Sequence, residues 1–132
     1  MRLAVCFALV GVLALPACNG VWDNGELAVA VSPTPVRTGQ ALTVTVTNGT
    51  QRAATFTACA DLGLYASGST ARVLPAPGAP CTEAAQTLRR GATYTATFSL
   101  AGVAPGAYVV RFTPTMDGGE ALAQSPVFQV TD

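Results

Sequence analysis

Apolar and polar residues alternate with a period of two along most of the chain. In Leu27–Ser32 the residues Leu27, Val29 and Val31 share one face, and in Ala41–Asn48 the residues Leu42, Val44 and Val46 oppose Thr43, Thr45 and Thr47. Successive side chains of a strand point to opposite faces, so β-branched residues on one side and threonine on the other describe a half-buried strand. Asn48-Gly49 then supplies turn chemistry. The alternation returns over Ala53–Asp61, with Phe56 inward and Cys59 on the opposite parity, which places Cys59 at a strand end or beyond a bulge. It returns again where Tyr94, Ala96, Phe98 and Leu100 alternate with Thr93, Thr95, Thr97 and Ser99, and where Tyr108, Val110 and Phe112 alternate with Val109, Arg111 and Thr113. Asp117-Gly118-Gly119 reads as a hairpin tip, and a last strand runs to Val130, marked as an edge or bulged strand by Pro126. A shorter strand fits Ala71–Leu74, whereas Leu62–Pro80 as a whole is rich in Gly and Pro and shows no sustained periodicity.

Six or seven strands separated by turn signals, with no helix of ordinary length, predict an all-β fold: an antiparallel β-sandwich of about seven strands. Threonine-rich outer faces suit that architecture, because each sheet buries one side and wets the other. Phe56, Tyr94, Phe98, Tyr108, Phe112 and Phe128 are expected to form the thick part of the core. Trp22 precedes the first strand and is expected either to fold back as a plug over one end or to lie near a membrane interface.

The start of the chain follows a different pattern. Met1-Arg2 is positive, and Leu3–Leu15 is uninterruptedly apolar, too short for a span of about twenty residues but of the length of a signal-peptide core. Leu15-Pro16-Ala17-Cys18 resembles the lipobox of bacterial lipoproteins, in which a dedicated peptidase cuts before a Cys whose sulfur carries diacylglycerol. Pro16 stands where that family usually has Ser, Ala, Thr or Val. The resemblance implies a signal peptide over 1–17, lipidation of Cys18 with palmitate-like chains, a tether over 18–26 and a folded domain over 27–132. It also implies a bacterial cell-envelope location with the membrane as partner. Asn19 is not the Asp that retains lipoproteins at the inner membrane in some diderm bacteria, so the outer membrane is preferred. Cleavage by an ordinary signal peptidase after Gly20 is the competing reading and gives a secreted soluble domain.

Four cysteines need assignment. Cys6 lies in the apolar leader and Cys18 in the lipobox, which leaves Cys59 and Cys81, an even number in an exported chain. Pairing them closes a loop of about twenty residues, worth about 3 kcal/mol by loop-closure entropy. A two-cysteine metal site lacks histidine partners and finger-like spacing, and a redox pair lacks the close C-x-x-C arrangement.

Charge and chemistry narrow the function. Seven basic residues balance seven acidic ones, every basic residue is Arg, and there is no His. A neutral chain lacks the basic stripe that nucleic-acid binding requires. Without His the commonest general base and transition-metal ligand are missing. The acids Asp23, Glu26, Asp61, Glu83, Asp117, Glu120 and Asp132 form no recognised catalytic spacing. Asp117 and Glu120 flank two glycines, where a weak Ca²⁺ loop competes with a plain hairpin turn. Arg89-Arg90 could touch an anionic partner, or form a solvated corner before Gly91. The expectation is therefore no enzyme, no metal or cofactor and no small-molecule substrate.

Leu88-Arg89-Arg90-Gly91, Tyr94–Leu100 and Pro105–Phe112 together resemble the penultimate strand pair of small bacterial immunoglobulin-like domains, which also show a strand end like Val46-Thr47-Asn48 and a Cys after the next strand. The resemblance implies a fold and no activity, and gives Tyr108 the role of a tyrosine corner, its hydroxyl tying a turn to its strand. Similar patterns occur in the intracellular proteinase-inhibitor family. The expected function is a membrane-anchored, non-catalytic binding or structural module with an envelope protein as possible partner. The alternative is a sandwich-type inhibitor presenting the Pro-rich loop 73–81.

Overall fold

A computed structural model describes residues 25–132. The expected signal peptide 1–17, Cys18, Trp22 and most of the expected tether 18–26 lie outside the described residues. The described chain runs β1 (Leu27–Ser32), β2 (Val36–Arg37), β3 (Ala41–Asn48), β4 (Ala54–Phe56), α1 (Ala58–Asp61), β5 (Leu62–Ala66), β6 (Arg72–Leu74) and β7 (Gln86–Leu88). It continues with β8 (Thr93–Ser99), β9 (Gly106–Phe112), β10 (Thr115–Met116), β11 (Gly119–Glu120), β12 (Ala123–Gln124) and β13 (Phe128–Thr131). It is an all-β sandwich, but its strands are broken into thirteen short segments where about seven were expected.

One sheet has the order β1-β3-β8 and a second the order β2-β13-β9-β5-β6, with β12 also on β9; a small third sheet, β11-β10-β4-β7, is built from short strands. All pairings are antiparallel except β2 on β13. The first strand therefore changes sheet: β1 pairs with β3, whereas β2 joins β13, and the chain crosses through Pro33 and Pro35. Proline cannot continue a ladder, so the crossing falls where the sequence allows no donor.

The core lies between the sheets. Leu42, Val44 and Val46 face Leu62, Leu64, Val110 and Phe112, with Phe56 and Leu88 of the small sheet at one side. Phe56 is wedged edge-on between Tyr94 and Phe112, with ring centroids 5.0 and 5.1 Å away. The expected core aromatics Phe56, Tyr108, Phe112 and Phe128 are buried, but Tyr94 and Phe98 are only half-buried, because β8 is the edge of its sheet. Val109, expected on the wet face, is buried beside its cross-strand neighbour Tyr65, over which the Arg111 guanidinium lies at 4.4 Å.

Three sequence expectations change. The strand over Ala53–Asp61 ends at Phe56, and the single turn α1 follows, with the Asp61 carboxylate accepting the Thr57 N–H at 2.8 Å. This local side-chain bond competes with a ladder and favours a turn. Cys59 sits in α1, past the strand end that its parity indicated. The last strand is split into β12 and β13 around Ser125 and Pro126. Ser125 keeps its buried neighbour bonded in the gap: its Oγ accepts the Val110 N–H at 2.9 Å and its own N–H donates to the Val110 carbonyl at 2.9 Å.

The largest correction is β5. The first residues of the supposedly aperiodic Leu62–Pro80 form an inner strand whose Leu62, Gly63 and Leu64 are all buried. Gly63 hides the alternation because it has no side chain to show polarity. It is required by space: a Cβ there would stand 2.8 Å from Arg72 Cδ and 3.1 Å from the Leu74 carbonyl oxygen of β6. Gly63→Ala must displace the Arg72 side chain and shift the Leu74 carbonyl of β6 slightly, and a denaturant melt is expected to show a loss of about 1–3 kcal/mol. An unchanged midpoint would mean that the β5–β6 pairing is looser than described.

Candidate functional site

Among the described residues two surface features could receive a partner. The first is the segment from β6 to β7. It leaves β6 at Leu74, turns at Ala76–Ala79 with the Ala79 N–H donating to the Ala76 carbonyl at 3.0 Å, and reaches Cys81. Pro77 and Gly78, the latter at φ +85°, occupy the central positions of that turn, the residues a type II turn prefers. Residues 76–87 are exposed throughout. Their anchor is the Cys59–Cys81 disulfide, with Cα atoms 5.5 Å apart. Two further contacts hold the same end: the Cys59 N–H donates to Glu83 Oε1 at 3.3 Å, and the Arg72 guanidinium donates to the Cys59 carbonyl at 3.4 Å. A shallow cleft of about 280 Å³ lies beneath, between Pro75, Glu83 and the half-buried Tyr94, Ala96 and Phe98 of β8.

The second feature is an apolar groove of about 560 Å³ between β1 and the start of β13, lined by Val29, Val31, Pro35, Pro126, Val127 and Phe128 among others. Val127 is 55% exposed, one of two large apolar side chains so exposed among the described residues. The groove was not legible in the sequence, because it is made by two strands whose residues stand about a hundred positions apart. Val127, an apolar residue at the outward parity of β13 next to Pro126, was the available signal.

The remaining sequence candidates are in structural engagements. The Tyr108 hydroxyl donates to the Ala104 carbonyl at 2.6 Å, tying the turn before β9 to that strand, which is the bond a tyrosine corner makes. Asp117 and Gly118, at φ +51° and +78°, form the two-residue tip joining β10 to β11, and the Asp117 carboxylate is paired with Arg52. Two successive positive φ values are those of a type I′ hairpin turn. Arg89 and Arg90 are exposed at a turn in which the Ala92 N–H donates to the Arg89 carbonyl at 2.9 Å. The Asp61 carboxylate accepts the Thr57 N–H and Glu83 that of Cys59, so these two carboxylates are spent on backbone donors. No group of three or more His, Cys, Asp or Glu side chains converges among the described residues. No protein-family model matches the chain, and the search of curated proteins finds no match.

Proposed function

We propose that the chain is a lipid-anchored protein of the bacterial cell envelope whose β-sandwich, of immunoglobulin-like type, is a non-catalytic binding or structural module. Residues 1–17 are its signal peptide, Cys18 carries the lipid, and 18–26 form the tether. The observation that supports export most strongly is the Cys59–Cys81 disulfide, since such bonds persist in oxidising compartments and are rare in the cytosol. It agrees with the apolar leader and the Leu-Pro-Ala-Cys box that precede the domain. Support for a non-catalytic role comes from the carboxylates of Asp61, Glu83 and Asp117, each engaged locally instead of facing a common cleft.

Two or more acyl chains anchor a protein stably, whereas one holds it only marginally. The wild-type protein is therefore expected in the membrane fraction and the Cys18→Ala variant in the soluble fraction. A variant that stays on the membrane would remove the lipid from the account, and a wild-type protein found soluble would favour a secreted domain. Within the expected loop 73–81, Val73 and Leu74 belong to β6, and the exposed, disulfide-pinned stretch 76–81 favours one second reading, a sandwich-type proteinase inhibitor, because a preorganised loop loses little entropy on binding. Absence of inhibition of envelope proteases at micromolar concentration rejects it.

A further inference from the structure

The charges of the two large sheets are sorted by face. β1, β3 and β8 carry no charged residue, and their outer face is made of Thr, Ser and Ala. The strands of the other large sheet carry Arg37, Arg72 and Arg111 and no acid. Their registers put all three on its outer face: Arg37 lies beside Thr131, next to the buried pair Val36 and Val130, Arg111 opposite Gly63 and Gln124, and Arg72 opposite Tyr65. None of the three has a carboxylate partner among the described residues. In a chain with as many acids as bases, this sorting gives one sheet face a positive field.

The arginines are spread over this face, not gathered at one point. They stand on the first, third and fifth strands of the order β2-β13-β9-β5-β6, so their strands are about 10 Å apart in turn. The Arg111 guanidinium lies over the Tyr65 ring and donates to Gln124 Oε1 at 2.9 Å and to the Ser69 carbonyl at 2.8 Å, just past the end of β5. Arg72 runs the other way, across Gly63 to the carbonyls of Cys59 and Ala60 at 3.4 and 3.5 Å, just before β5 begins. Neutral groups thus fix two cations flat on the sheet and leave the remaining guanidinium donors for a partner. A small anion needs converging donors, whereas separated cations on a flat face match a plane of anionic groups. The same face also carries Leu122 and Val127, 63% and 55% exposed, the two large apolar side chains so exposed among the described residues. Each stands two positions before an outward glutamine, Gln124 and Gln129. Arginine together with exposed apolar side chains is the combination by which a protein surface binds anionic lipid.

We propose that the outer face of the sheet β2-β13-β9-β5-β6 docks on an anionic phospholipid surface, with Arg37, Arg72 and Arg111 on lipid phosphates and Leu122 and Val127 between the headgroups. The planar guanidinium is weakly hydrated and pairs its donors with phosphate oxygens, which suits this task. Each Arg near such a surface raises partitioning about fivefold, so three raise it roughly a hundredfold at low salt. At physiological ionic strength the screening length is about 8 Å, and most of that gain is lost. The face therefore orients a domain that lipid already holds and does not replace the lipid. That role rests on the anchor proposed above; the binding itself does not.

Vesicle flotation tests the face apart from the anchor. The protein is the unlipidated mature chain, residues 18–132 with Cys18→Ala, which contains the whole sandwich. The vesicles are phosphatidylcholine alone and an equal mixture of phosphatidylcholine and phosphatidylglycerol. The expected result is binding at low salt to the mixed vesicles only, reduced roughly a hundredfold in the triple variant Arg37→Gln, Arg72→Gln, Arg111→Gln. The double variant Leu122→Glu, Val127→Glu changes only exposed positions, so it leaves the core and the arginine contacts intact and is also expected to lose binding. Thr43→Glu with Thr95→Glu adds the same charge to the outer face of the opposite sheet, where both residues are exposed, and is expected to keep it. Absence of binding to the mixed vesicles overturns the proposal, as does equal binding to both lipids. An equal loss in the Thr43 and Thr95 variant would report net charge instead of a face and overturns it too. Tighter binding to polyglutamate than to the mixed vesicles assigns the face to an acidic polymer, with the same consequence. Each of these failures leaves the lipid on Cys18 untouched, and a Cys18 found without lipid leaves the vesicle result untouched.

Discussion

Asn48→Ala is expected to lower the unfolding free energy by about 3 kcal/mol, among the largest effects of any single substitution in the domain. Asn48 is fully buried at the end of β3 and uses its whole hydrogen-bonding capacity. Its Nδ2 donates to the Arg52 carbonyl at 2.7 Å and the Leu88 carbonyl at 2.9 Å, and its Oδ1 accepts from the Thr50 N–H at 2.9 Å and the Thr50 hydroxyl at 2.6 Å. One amide thus joins the end of β3 to the approach of β4 and to β7, two strands of another sheet. Alanine removes the amide from the buried Leu88 carbonyl and from the Thr50 N–H, at roughly 1–3 kcal/mol for a buried group, while the Arg52 carbonyl keeps the Thr50 hydroxyl at 2.9 Å. Asn48→Asp keeps the shape and the acceptors but puts a desolvated carboxylate against two carbonyls. Burial raises that carboxyl's folded-state pKa above its unfolded value, so the variant's deficit relative to wild type should shrink as pH falls and grow as pH rises. Paired urea melts at acidic and neutral pH check the sign. A deficit that does not change with pH would mean that water reaches the site.

Replacing both Cys59 and Cys81 by Ala is expected to cost about 3 kcal/mol, within the range for a loop of this length. The sequence separation is 22 residues, but the bridge does not hold a structureless loop. The segment between the two cysteines contains the rest of α1, the inner strand β5 and the edge strand β6, all built into the sandwich. The order lost with the bridge therefore falls mainly on residues 75–85. Limited proteolysis of the double variant should cut within that stretch while the sandwich survives. A stability loss below about 1 kcal/mol, with no new cleavage, would show that Arg72 and Glu83 hold the loop without the disulfide.

Much of the sandwich was legible from the period of two, and where it was not, a physical reason is visible. β3 and β8 announce themselves because every outward position is polar or exposed and most inward ones are apolar. β5 is silent because Gly63 removes the outward side chain and Arg72 fills its place. Pro126 correctly marks a break in the last strand, but the role of Ser125 in bonding across that break depends on Val110 of β9 and has no local signal. Asn48 reads as a turn residue; that its amide is buried and stitches two sheets follows only from where Leu88 comes to lie. The disulfide was legible from cysteine count and context, and the groove was not, since it exists only once β1 and β13 meet.

The proposed function requires that the sandwich be exported and held in the envelope by lipid on Cys18. Intact-mass spectrometry of the protein extracted from the membrane fraction tests that most directly. The predicted result is a chain beginning at Cys18, carrying the added mass of a diacylglycerol and, where the organism N-acylates, a third acyl chain. A chain beginning at Val21 or still containing Met1, with no acyl mass, would contradict it.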